Sequence, residues 1–176
     1  MRFSFKTTLL LAFSLLVFGV VMRMVPHPAN FTPLTAIALV SGMYFRGKWV
    51  ALVPVLTMVV SDVFLGWHNI VLFTWGSFAA AVLIGVFLRR TEISTRIIGG
   101  ALAGSTLFFL VTNWAVWQFT VMYTKDFSGL LLSYEMALPF FRTMLTGDLI
   151  YTAALVGVFE LVFALQKKRV ALTVSN

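Results

Sequence analysis

The sequence predicts an all-α membrane protein of six transmembrane helices, and three observations carry that prediction. Of 176 residues, 60% are hydrophobic and only 11% are charged, with a mean hydropathy of +0.97. A soluble domain runs about 45–50% apolar and about 25% charged, so this chain has too little polar surface to coat a water-facing sphere. Apolar stretches recur at the roughly 17–25 residues that a spanning helix needs. Finally, the basic residues alternate from loop to loop in a way that fixes an orientation.

The first helix is expected over 8–22, behind Arg2 and Lys6. That start resembles a signal peptide. No small-x-small cleavage site follows it, however, and Arg23-Met-Val-Pro-His-Pro would be a poor one, so the segment reads as an uncleaved helix. The second helix, 31–45, is short for a span. The third, 49–66, carries Pro54 inside it, where a kink or local break is expected. The fourth covers 70–88, the fifth 97–117 and the sixth 139–165. Between the last two, 129–137 is apolar but too short to cross, and it reads as an interfacial or re-entrant segment. All of 1–176 is expected to form one integral membrane domain. Small residues four apart, Ser77-Ala81-Gly85 and Gly100-Gly104, let helix backbones approach closely in lipid and are expected to pack within the monomer.

Orientation follows from the 13 lysines and arginines. With the N-terminus inside, ten fall on the inner side: Arg2, Lys6, Arg46, Lys48, Arg89, Arg90, Arg96, Lys167, Lys168 and Arg169. Arg23, Lys125 and Arg142 fall on the outer side. This positive-inside bias places both termini in the cytoplasm, which requires an even number of spans. The net charge of +7 is therefore topological, and nucleic acid is not an expected partner. A bacterial-type cytoplasmic membrane is.

On this topology the remaining polar residues gather toward the outside. Arg23, His27 and Asn30 sit in the first outer loop, where Pro26, Pro28 and Pro33 impose a stiff, extended chain. That loop could gate a pocket or merely connect two helices. Asp62 closes the third helix and His68 follows it. Asn113, Trp114 and Trp117 close the fifth. Asp148, nine residues beyond Pro139, lies roughly 13 Å along its helix, with Tyr151 just behind. A carboxylate in hydrocarbon is expensive, so Asp62 and Asp148 must face a partner, the bundle interior or a wet cavity. Either they form structural pairs, for instance with Arg23 or Arg142, or they line an outward-facing pocket for a polar solute. In the second reading Asn30, Asp62, His68, Asn113, Trp117, Asp148 and Tyr151 are the substrate-binding residues, and Arg23, His27 and Asn30 form the gating loop.

Enzymatic chemistry is not expected. The chain has no cysteine, no Gly-rich phosphate loop, no Gly-x-Ser-x-Gly and no His-Glu-x-x-His. Asp62 and Asp148 lack the Gly-x-Gly-Asp setting of intramembrane aspartyl proteases. His27 and His68, without supporting ligands, read as hydrogen-bonding residues rather than a metal pair. No cofactor or metal is expected.

Four stretches carry a resemblance: Pro26-His27-Pro28-x-Asn30-Phe31-Thr32-Pro33, Ser61-Asp62-x-x-Leu65-Gly66-x-His68, Thr112-Asn113-x-x-Val116-Trp117 and Gly147-Asp148-Leu149-x-Tyr151-Thr152. Together they resemble a family of uncharacterised bacterial small integral membrane proteins over nearly the whole chain. More distantly, the layout resembles the substrate-binding S component of energy-coupling factor (ECF) vitamin transporters. Ser41-Gly42-Met43-Tyr44-Phe45 through Ser61-Asp62 is similar to the second and third helices of those proteins. The resemblance implies an S-component-like bundle that takes up a small water-soluble nutrient or vitamin-like compound. It also implies an ECF-type coupling subunit and ATPases as energising partners. S components commonly carry Ala-x-x-x-Ala on the first helix for docking that subunit, and here Ala12 is followed by Leu16. The rival expectation is a non-transporting structural or assembly protein whose buried polar groups only fix helix packing.

Overall fold

The computed structural model describes residues 3–47 and 49–174, with side chains as far as 168. Arg2, Lys48 and the Arg169 side chain, all expected inner charges, lie outside the described residues. Those residues form six α-helices and no strand: α1 (Phe5–Met24), α2 (Leu34–Tyr44), α3 (Trp49–Leu65), α4 (Val71–Leu88), α5 (Gly100–Phe119, entered through a π-helical turn Thr95–Gly99) and α6 (Phe127–Val174). Ser4 caps α1, its hydroxyl accepting from the Thr7 N–H. Pro26 and Pro28 then keep the chain out of helix until Pro33 sets up α2. α3 runs through Pro54, where the ring removes one early bond, to Val50, and leaves the helix intact.

The end of the chain corrects an expectation. The segment 129–137 and the helix 139–165 are one 48-residue helix with Pro139 inside it. Pro139 is exposed, and the carbonyl that its ring leaves unbonded belongs to exposed Glu135. Tyr134 donates to the Leu110 carbonyl at 2.9 Å, Phe141 packs tilted against Phe109, and these contacts on either side of Pro139 tie α6 to α5. Packing thus holds the register that proline alone would loosen.

By length and composition, α1, α4, Thr95–Phe119 and Phe127–Lys168 can each cross a membrane; α2, with 11 residues, and α3, with 17, are shorter. At 1.5 Å per residue α2 covers about 16 Å, half of a hydrocarbon core about 30 Å thick. Every one of its residues is buried, so it forms the hub of the bundle, contacting α1, α3, α4, α5 and α6. A helix that is apolar all round fits this place. Its closest neighbour is α4: a Cβ on Gly42 would collide with the Val82 carbonyl, and one on Gly85 with the Leu39 carbonyl. Ser77 and Ala81 are buried on α4, and Gly100 and Gly104 of α5 lie against Leu39 and Thr35 of α2. The outward faces carry exposed Leu9, Phe13, Phe64, Leu83, Phe87 and Leu161, the surface a lipid-embedded bundle requires.

A cavity under the proline-rich loop

The C-terminal halves of α1, α3 and α5 meet the first turns of α2 and α4 and the 137–144 stretch of α6 at one end of the bundle. Between them lies a cavity of about 430 Å³, within the range of small-molecule sites. Its polar lining comes mainly from loops and helix ends: Arg23, His27, Asn30, His68 and Asn113. Its apolar lining is Met58, Phe78, Phe108, Phe109, Phe141 and Met144. Asn30 adopts φ of 61°, a left-handed conformation that asparagine tolerates better than most residues. The His27 ring bonds the Pro28 carbonyl at 2.9 Å, stiffening the loop across the mouth. The Asn113 amide donates to the Phe109 carbonyl at 2.8 Å, leaving its own oxygen free to accept. Chemically the cavity suits a compound with an apolar or ring-shaped body and a hydrogen-bonding head.

The residues expected to share one pocket are separated. Asn30, His68 and Asn113 line the cavity; Asp62, Trp117, Asp148 and Tyr151 do not. Asp62, 1% exposed, accepts from Arg23 Nη1 at 2.5 Å on one oxygen and from Trp75 Nε1 at 2.8 Å on the other. Arg23 also donates to Ser61 Oγ at 2.6 Å. It therefore joins α1 to α3 while forming part of the cavity wall, and Asp62 faces α1 and α4. Asp148 faces α5 and α2 instead, accepting from Ser105 Oγ at 2.6 Å. Tyr151 packs edge-on against Phe18 and tilted against Phe31, with ring centroids 6.2 and 5.5 Å away. Trp117 turns to the α5–α6 connection, donating to the Thr124 carbonyl at 2.9 Å.

The opposite end holds a cluster that sequence reasoning missed. The π-helical turn brings Arg96 inward, where it is 7% exposed and donates to Glu160 Oε1 at 2.8 Å. Tyr44 donates to the same oxygen at 2.7 Å. Arg89 reaches back to the Gly42 and Phe45 carbonyls at 2.6 and 2.8 Å, satisfying the C-terminus of α2. Glu160 was the available signal, as a lone carboxylate in an apolar run. The apolar half of the cavity was missed too, although the doublets Phe108-Phe109 and Phe140-Phe141 mark it.

Helices long and apolar enough to span a membrane, packed around a buried hub with a small-molecule-sized cavity at one end, are consistent with a helical membrane protein. The model of a family of unknown function, DUF6580, matches residues 3–172, and the chain belongs to that family. Neither a curated protein nor a solved structure matches the chain, so the likeness to S components has no structural counterpart.

Proposed function

We propose that this chain is a solute-binding protein of a bacterial cytoplasmic membrane. In this reading it takes up a small water-soluble nutrient or vitamin-like compound through the cavity under the 25–33 loop. All six helices are embedded, both termini are cytoplasmic, and the cavity faces outward. The observation that carries the reading is the cavity itself, with its hydrogen-bonding mouth above an aromatic and methionine-rich floor. Exposed Trp67 and Trp114 lie at the same end, as interfacial aromatics do. An energising partner of the ECF coupling type remains part of the proposal, with Leu16 the departure on its docking face.

One observation favours the rival, structural reading for Asp62: both of its oxygens are satisfied, so it needs no solute. Native mass spectrometry of the detergent-purified protein separates the two. The solute-binding reading expects a co-purifying small molecule and weaker retention in Asn113→Leu, by about 1–3 kcal/mol for a lost buried hydrogen bond. A protein that is folded, ligand-free and indifferent to Asn113→Leu would support the structural reading instead.

A further inference from the structure

Asp148 lies directly beneath the cavity. On α6 it is one turn beyond Met144; on α5 its partner Ser105 is one turn before Phe108; on α2, which packs against α6, Leu34 is at the start of the helix. Met144, Phe108 and Leu34 all line the cavity, so a single layer of side chains separates the carboxyl from it. Asp148 is 1% exposed, and its Oδ1 has no hydrogen-bond partner; one turn further along α6, the buried Thr152 hydroxyl also has none.

No cation among the described residues compensates this carboxyl. α5 carries no titratable side chain over Gly100–Phe119, and Arg96 before it is bonded to Glu160. α2 carries only Tyr44, at its far end and also bonded to Glu160. α1 reaches α6 through Phe18 on Tyr151; its basic residues Lys6 and Arg23 sit near its two ends, Arg23 on Asp62. In the loop above, His27 bonds Pro28. On α6 itself Arg142 is exposed and Glu160 is occupied. A buried carboxylate without a countercharge is neutralised by taking a proton. The oxygens to hand, Oδ1 and the Thr152 hydroxyl, fall short of the six or more that a hard metal cation takes.

We propose that Asp148 is a proton-binding site reached from the cavity. Its carboxylate takes one proton on Oδ1 from water entering above and becomes the acid, and it releases that proton by the same route. Flexible Met144 is the side chain best suited to open the path. Coupling of this proton to solute uptake rests on the solute-binding reading; the proton site does not.

The test is infrared difference spectroscopy of the full chain in lipid nanodiscs, labelled with isotopic aspartate, which marks Asp62, Asp126 and Asp148. A labelled carboxylic-acid band should appear and vanish reversibly with pH. Asp148→Glu, with its glutamate unlabelled, should remove it, and Ser105→Ala should shift its frequency, which keeps the assignment testable if substitutions at 148 fail to fold. No titrating labelled band, or one unmoved by all three changes including Asp148→Asn, would overturn the proposal. For the route, Asn113→Cys adds the only cysteine to a chain that has none. Attaching a bulky thiosulfonate there should abolish fast proton–deuteron exchange of the band; unchanged exchange would overturn access from the cavity. No solute enters either measurement, so failure to find a solute leaves both results standing.

Discussion

Two carboxylates show how much of this protein is decided by single hydrogen-bond partners. Asp62 is buried and Arg23 partly so; removing one partner of a fully buried pair strands the other charge at a cost of about 3–5 kcal/mol, an upper bound for this pair. Arg23→Met should therefore lower thermal stability in detergent sharply, and Arg23→Met with Asp62→Leu should recover much of the loss. Equal instability in the single and double variants would mean that lost packing, not a stranded charge, dominates. Asp126 is the opposite case, exposed at the start of α6. Its Oδ1 accepts from the Gly129 N–H at 2.7 Å, the Ser128 hydroxyl at 2.8 Å and the Thr124 hydroxyl at 2.9 Å. Those bonds hold its pKa below the ordinary aspartate value. A depressed folded-state pKa gives stability that is present above the unfolded-state value and lost as pH falls through the folded one. Amide exchange at Gly129 should accelerate on acidification through that window, and Asp126→Ala should make it fast and pH-independent there, beyond the intrinsic exchange trend.

At the scale of elements, α2 decides the architecture through glycine. The Gly42–Gly85 crossing brings backbone against backbone, so neither side can yield to an added side chain. Gly42→Ala should destabilise by about 1–3 kcal/mol. Gly76→Ala, on α4 with open space where its Cβ would lie, should be neutral or stabilising by up to about 1 kcal/mol. Similar melting shifts for the two would argue against the close crossing. The helices themselves were legible because a break in hydropathy marks each loop. The join across Pro139 was not, since it depends on α5 contacts such as Tyr134 to the Leu110 carbonyl, which no local pattern encodes. The polar rim of the cavity, Asn30, His68 and Asn113, stood out against an apolar chain. Its floor did not, because Phe78 or Met144 facing a cavity reads in sequence just like Phe87 exposed on the outer face of the bundle. Asp62 and Asp148 were legible as buried, but their directions around the helix were not, and that is why they were expected in one pocket.

Taken whole, the molecule has two unlike ends, and that bears on how it sits in a membrane. At the end away from the cavity, some of the basic charge is internal: Arg96 is neutralised by Glu160, and Arg89 is committed to the α2 carbonyls. Such residues contribute less to orientation than solvated ones. Among the described side chains, exposed Lys6, Arg46, Arg90, Lys167 and Lys168 remain there. At the cavity end Arg23 is paired with Asp62, while Lys125 bonds the Trp117 and Thr120 carbonyls that close α5. Exposed Arg142 lies on α6 beyond Pro139. The bias therefore survives the removal of every engaged charge, and the positive-inside rule favours the proposed orientation with the cavity outward. A reporter fused after Asn176 should be active only in the cytoplasm, and a cysteine at Asn69 should react with a membrane-impermeant thiol reagent applied from outside. An external Asn176 together with an unreactive position 69 would invert the molecule and turn the cavity toward the cytoplasm. Agreement of the two sites on one face would instead require an even number of crossings between them, with one of α4, α5 and α6 failing to cross.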